Sequence, residues 1–183
     1  MTIQIQNVVA SAVFNQTFNV NAIANAFPWD TEFKGRFSGL IFRLKKPKTT
    51  VLIFKTGKMI CSGGKSEDEA RRVILTVVRK LRKRDINVAG KPEIQIVNIV
   101  ASASFNGIID LDRLYSEKIG DKIIFEPEQF PAAIYRMQSP RVVFLIFSTG
   151  KIVCVGAKKE KEIYEAVENL RLRLEESEVL IRS

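Results

Sequence analysis

The chain is written twice, and this duplication limits its fold more than any other feature of the sequence. Ile3-Gln-Ile-Gln-Asn-Val-Val-Ala-Ser-Ala-Val-Phe-Asn15 returns as Ile94-Gln-Ile-Val-Asn-Ile-Val-Ala-Ser-Ala-Ser-Phe-Asn106, with ten of thirteen positions identical at a shift of 91. A second block, Pro47–Gly63, returns as Pro140–Gly156 with nine of seventeen identical at a shift of 93. The drift places two extra residues in the stretch after Asn106. Two copies are too few for a long solenoid. They predict one domain of pseudo-two-fold character, with repeats over residues 1–90 and 91–183 and a joint at Asn87–Pro92.

Each repeat reads as α+β. An alternating strand, Ile3–Phe14, leads into a short helix near Val20–Phe27, then strands Phe37–Leu44, Thr50–Phe54 and Lys58–Ser62. Lys45-Lys46-Pro47-Lys48 separates the first pair, and Thr56-Gly57 reads as a tight hairpin turn between the second. Ser66-Glu-Asp-Glu69 is a capping box opening a helix to about Arg84, matched later by Lys161–Glu176 with Ile163, Val167, Leu170 and Leu174 on one face.

Alternation assigns side chains to the two faces of the sheet. Val8, Ala10, Ala12, Val51, Ile53, Met59 and Cys61 share one face. Asn7, Val9, Ser11, Leu52, Phe54, Ile60 and Ser62 share the other, with repeat mates Val100, Leu145, Phe147 and Val153. Both faces are largely apolar, and two long helices cover only one. The other is a binding surface, or core buried by a dimer or by the short helices.

Charge favours binding. There are 29 Lys and Arg against 20 Asp and Glu, a net +9, and cations gather at strand ends. An apolar strip rimmed by cations suits a polyanion with an apolar interior, such as DNA in its minor groove. The sequence has no histidine, which removes His-based nucleophile activation and the commonest metal ligand. Cys61 and Cys154 are too few for a zinc site and read as buried thiols. The longest apolar run, Val142–Phe147, is far short of a membrane span. The opening Met1-Thr-Ile-Gln-Ile has no basic region followed by an apolar stretch, so an intracellular protein is expected, acting as no enzyme and using no cofactor.

The duplicated Asn-(Val/Ile)-Val-Ala-Ser, Phe125-Glu-Pro-Glu-Gln-Phe-Pro131, Ile134-Tyr-Arg-Met137 and Leu145-Ile-Phe-Ser-Thr-Gly-Lys151 with its twin Leu52–Lys58 together resemble the TATA-binding proteins, archaeal members more than eukaryotic ones. The resemblance implies a pseudo-two-fold saddle: an eight- to ten-stranded curved antiparallel sheet with helices on the convex face. It implies intercalating wedges at Phe37, Phe54, Phe130 and Phe147, the members of each pair 17 residues apart. Base contacts fall to Asn7, Asn98, Val9, Val100, Leu52, Leu145, Ile60, Val153 and Ser62, and phosphate contacts to Arg43, Lys48, Lys58, Arg136, Arg141 and Lys151. The implied partners are A·T-rich promoter DNA, a TFIIB-like factor docked on Glu126, Glu128 and Gln129, and RNA polymerase. The implied location is the nucleoid-bearing cytoplasm for an archaeal protein and the nucleus for a eukaryotic one.

The sequence departs from the family in three places. Ser62 and Val155 stand where members carry Thr, and Trp29-Asp-Thr-Glu-Phe-Lys-Gly-Arg-Phe37 replaces the acidic segment in the first repeat. The helix Arg71–Arg84 is unusually basic. These departures leave open a divergent paralogue for special promoters, or an interaction module that no longer bends DNA.

Overall fold

In the computed structural model, which describes residues 1–117 and 122–182, the chain forms two compact units. One is Asn7–Val97; the other is Met1–Gln6 with the chain from Asn98 onward. Residues 118–121 and 183 of the second expected repeat lie outside the described part.

The first repeat supplies β1 (Gln4–Val13), α1 (Val20–Ala26), β2 (Thr31–Phe33), β3 (Leu40–Lys45), β4 (Lys48–Ile53), β5 (Lys58–Gly64) and α2 (Glu67–Lys83). Its strands pair antiparallel in the order β2-β3-β4-β5-β1. The second supplies β6 (Glu93–Ser104), β7 (Ile108–Ile109), α3 (Leu111–Ser116), β8 (Ile123–Ile124), β9 (Ala132–Met137), β10 (Val142–Phe147), β11 (Lys151–Ala157), α4 (Glu160–Glu176) and β12 (Leu180–Ile181). Its order is β6-β11-β10-β9-β8, also antiparallel, with β7 and β12 paired apart. The class is α+β, with twelve antiparallel strands, two of them in the separate β7–β12 pair, and four helices among the described residues.

The long helices form where the sequence caps them. Ser66 accepts from the Glu69 N–H at 3.0 Å, and Glu69 reaches back to the Lys65 N–H at 3.1 Å. The second helix lacks the hydroxyl, since Lys159 holds its N-cap, but Glu162 still accepts from the Lys158 N–H at 3.3 Å. Ala70, Val73, Ile74, Val77, Val78 and Leu81 of α2 are buried, as are Ile163, Ala166, Val167, Leu170 and Leu174 of α4, the stripe that the 3.6-residue period marks. They pack on β5 and β11. Each such Leu or Ile contributes about 1.5–3 kcal/mol by leaving water.

Three of the seven basic residues at Arg71–Arg84 are used within their own unit. Arg82 donates to the Val88 and Gly90 carbonyls, Arg71 to Ile94, and Arg84 to Ala26 while lying over the Phe27 ring. Arg71 and Arg82 thereby pin the segment around the start of β6, and Arg84 the end of α1.

The structure moves several expected boundaries. The strand expected at Phe37 begins at Leu40, because Lys34–Phe37 forms a turn with Gly35 at φ +56° and the Phe37 N–H on the Lys34 carbonyl. The edge strands β2 and β8 have no period of their own to reveal them; β3 and β9 impose them by pairing. The hairpin between β4 and β5 turns through four residues, Phe54–Gly57, rather than a two-residue turn. Phe54 donates to the Lys58 carbonyl, Gly57 donates to the Phe54 carbonyl, and Gly57 takes φ +102°. Only glycine fits there, since a Cβ would lie 2.0 Å from the Gln16 carbonyl oxygen. Its mate Gly150 would meet the Gly107 oxygen at 2.2 Å. Between β3 and β4 the loop shrinks to Lys46-Pro47, joined by a cis peptide.

Cys61 and Cys154 are free and buried on the covered faces, and burial raises the thiols to about 11 and about 12. Native protein should therefore resist maleimide labelling from pH 7 to 10, with both thiols labelling at once in guanidinium. Mass spectrometry of timed quenches reads this, and prompt labelling of the native chain would contradict the burial.

Candidate nucleic-acid interface

The two faces of each unit differ sharply. Val8, Ala10, Ala12, Val51, Ile53, Met59 and Cys61 are all 0% exposed, whereas Val9, Leu52, Phe54 and Ile60 are half-buried. In the second unit Ile99, Ala101, Phe144, Ile146, Ile152 and Cys154 are buried, and Val100, Leu145, Phe147 and Val153 stay half-buried. The short helices do not cover the second face. Phe27, at the end of α1, stacks on Phe42 at 5.0 Å, and Phe42 lies opposite Val51 on the covered side.

Cross-strand register arranges the side chains of this face into rows, open except at Ile41, which is buried. In the first unit Ile41, Leu52, Ile60 and Ser11 stand side by side; in the second Ile124, Ile134, Leu145, Val153 and Ser102 do. Apart from the serine hydroxyl in each, these rows are apolar.

A β-bulge orients the one amide side chain set into each strip. The register of β5 on β1 shifts between Val8 and Ala10, and that of β11 on β6 shifts beside Gly156. Gly63 and Gly156 take φ +97° and +104°, as a bulge residue in the left-handed region must. This turns their N–H groups onto the asparagines: Gly63 donates to Asn7 Oδ1 at 2.7 Å and Gly156 to Asn98 Oδ1 at 2.9 Å. With its oxygen engaged, each amide presents its NH2, and that of Asn7 also donates to Ser62 Oγ at 3.3 Å. The asparagines are legible from the duplicated sequence; the glycines that aim them are not, since that requires the bulge.

The four phenylalanines form two pairs. Phe37 and Phe54 meet edge to face at 5.6 Å and 69°, and Phe130 and Phe147 at 6.2 Å and 68°. Phe37 and Phe130 are 40% and 41% exposed, unusual for rings with an apolar neighbour. Space for the first pair depends on Gly39, where a Cβ would lie 2.8 Å from Phe37 and 3.1 Å from Phe54. Phe130 is delivered by a turn in which Gln129 and Phe130 both donate to the Glu126 carbonyl. Glu126, Glu128 and Gln129 are exposed around that turn.

Arg43, Lys48, Lys58, Arg136, Arg141 and Lys151 are all exposed. Arg136 and Arg141 line a concavity with Lys122, Val143 and Val155, so Lys122 joins a cationic cluster that sequence reading missed. Arg43 is not free, for it binds Glu32 on the edge strand at 3.2 Å. That hydrogen bond holds the Glu32 carboxyl below the usual carboxylate range. The matching edge position, opposite Ile134, is Ile124, which leaves Arg136 without such a carboxylate. Trp29, just before β2, is 95% exposed.

Each unit thus has a half-exposed apolar strip, one outward amide, a projecting pair of rings and a cationic margin. No helix among the described residues is long and apolar enough to cross a membrane.

Comparison with known proteins agrees with this geometry. The sequence model of the family described as transcription factor TFIID, or TATA-binding protein, matches residues 2–84 and again 93–177. The chain is similar to the TATA-box-binding protein of Sulfurisphaera tokodaii, 44% identical over 168 residues, covering 92% of this chain and 84% of that one. It is 45% identical to that of Sulfolobus acidocaldarius over the same length and coverage. Among solved structures, the Methanococcus jannaschii TBP matches with a TM-score of 0.85 at 36% identity, over 96% of this chain and 99% of that one. A family match in both repeats and a shared fold along almost the whole length show that this chain belongs to the TATA-binding protein family.

Proposed function

We propose that the chain is a general transcription initiation factor that binds the A·T-rich TATA element of promoters through the minor groove and kinks it. Residues 1–90 and 91–183 act as two repeats of one DNA-binding domain. The observation that carries the reading is the half-exposed apolar face, present in both repeats and bearing a projecting pair of phenylalanines in each.

The minor-groove floor of A·T pairs carries only acceptors, adenine N3 and thymine O2, while guanine adds an amino group. The amides of Asn7 and Asn98, turned outward by the glycine N–H groups, donate to those acceptors. Val9, Val100, Leu52, Leu145, Ile60 and Val153 pack on the sugars and base edges around them, and Ser62 adds a hydroxyl. Phe37 with Phe54, and Phe130 with Phe147, wedge between base steps. Unstacking costs roughly a few kcal/mol per step, offset by the apolar contact that a bent and opened groove gains. Lys48, Lys58, Arg136, Arg141 and Lys151 hold phosphates, with Arg43 sharing itself between phosphate and Glu32; these contacts set affinity and register.

The exposed Glu126, Glu128 and Gln129 are the docking point for a TFIIB-like factor, through which RNA polymerase is recruited. The role has no catalysed step and needs no cofactor. The relatives reported above are archaeal, so the site of action on this reading is the nucleoid in the cytoplasm of an archaeal cell.

Fluorescence transfer between the ends of a short A·T-rich duplex tests the reading. Wild-type protein should shorten the end-to-end distance, and Phe54→Ala/Phe147→Ala should lose most of that bend while retaining salt-sensitive binding. Tight binding to straight DNA by the wild type would contradict the proposal. The charge assignment has a separate check in the salt dependence of binding, where the five phosphate contacts other than Arg43 give a log–log slope of roughly −4.5 at about −0.9 each. Glu32→Gln releases Arg43, so the slope should steepen by up to about 0.9 and low-salt affinity should rise. An unchanged slope would mean that Arg43 does not reach phosphate.

A further inference from the structure

The corner beside each edge strand is built alike in the two repeats and charged differently. In both, an arginine of the next strand in is bonded to the residue just ahead of the edge strand. Arg43 N–H donates to the Asp30 carbonyl at 2.8 Å, and Arg136 N–H to the Lys122 carbonyl at 3.2 Å. Asp30 and Lys122 therefore hold equivalent places in the fold. Two positions later, Glu32 lies opposite Ile41 and Ile124 lies opposite Ile134. The first repeat thus sets carboxylates at both places and binds one of them to its arginine at 3.2 Å. The second sets an ammonium and an aliphatic side chain there.

Arg141 completes the second corner. It is the repeat mate of Lys48, 93 residues on, and with Lys122 and Arg136 it lines one concavity of about 380 Å³. None of these cations makes an ion pair among the described residues. Like charges around one space repel, and an anion set between them offsets that repulsion. Val143 and Val155 line the same space and offer such an anion no competing partner. The first repeat puts further charge on Lys45 and Lys46 of the β3–β4 hairpin, where the second has Gln138 and Ser139. The repeats therefore differ in how their cations are grouped more than in their number.

Resting on the minor-groove reading above, we propose that Lys122, Arg136 and Arg141 form a clasp for a single phosphate of the DNA backbone, and that the second repeat alone has it. Two guanidinium forks and a rotating ammonium supply charge-assisted donors for every non-bridging oxygen of one phosphate. Lys122 is a DNA-binding residue at a position that carries a carboxylate in the first repeat. It adds one contact to the five counted above.

Equilibrium binding to an A·T-rich duplex of two-fold symmetric sequence tests the clasp, because the two ways of placing the protein are then equivalent. Losing one phosphate contact removes about 0.9 from the log–log salt slope. Between about 50 and 200 mM salt, Lys122→Gln should therefore lose about 3.5-fold less affinity than wild type. Lys161→Gln, an exposed lysine on α4, should keep the wild-type slope. Neutral methylphosphonate linkages, placed at two-fold-related positions and moved stepwise along the duplex, then locate the phosphate. At one pair of positions the linkage should weaken wild type, and Lys122→Gln should cost nothing further there. Elsewhere the cost of Lys122→Gln should match that on unmodified DNA. An unchanged slope in Lys122→Gln, or a cost that persists on every methylphosphonate duplex, would overturn the proposal while leaving minor-groove binding in place. Failure of the wild type to bend the unmodified duplex would remove the minor-groove reading and the clasp together.

Discussion

Everything distinctive in this protein follows from a mismatch between sheet and helices. Each repeat builds strands that are apolar on both faces, and the long helix of each repeat buries one of them. On the covered face the sheet residues reach zero exposure. On the other face, Leu52, Ile60, Leu145 and Val153 keep part of their surface in water. A ligand that removes this surface from water recovers roughly 25 cal/mol per Å² of apolar area. The shape of that ligand is constrained too, because the strip is lined by rows of branched side chains with a single amide set into it.

That amide depends on backbone geometry. An asparagine on an apolar strip has two equivalent flips unless something fixes one. Here the bulges at Gly63 and Gly156 turn a backbone N–H onto the Oδ1 of Asn7 and Asn98, and a backbone N–H requires an acceptor. The outward group is therefore a donor, which suits the acceptor-only floor of A·T pairs. Recognition at this point rests as much on a glycine at positive φ as on the asparagine.

Much of this was legible in the sequence. The repeat predicts two similar units, and a period of two separates Leu52, Phe54 and Ile60 from Val51, Ile53 and Met59 without error, since alternation along a strand needs no knowledge of partners. Features that depend on partners were hidden. The edge strands β2 and β8 exist through their pairing with β3 and β9. Phe37 leaves the strand because a Gly35 turn intervenes, and the β4–β5 loop, Phe54–Gly57, brings Gly57 close to the Gln16 carbonyl. The Arg43–Glu32 ion pair, the addition of Lys122 to the cationic cluster and the inward use of Arg71, Arg82 and Arg84 all join residues that the sequence holds apart. Composition counts these groups as charge and cannot say which of them are already engaged.

The central claim is that the open face, and not the helices, receives the nucleic acid. Side-chain footprinting by carbene labelling, with and without an A·T-rich duplex, tests it most directly. Leu75 on α2 and Leu172 on α4 are 44% and 42% exposed and serve as references on the helices. The account predicts that DNA protects Leu52, Ile60, Leu145 and Val153 while Leu75 and Leu172 label as before. Protection of the helices with the sheet residues unchanged would contradict it.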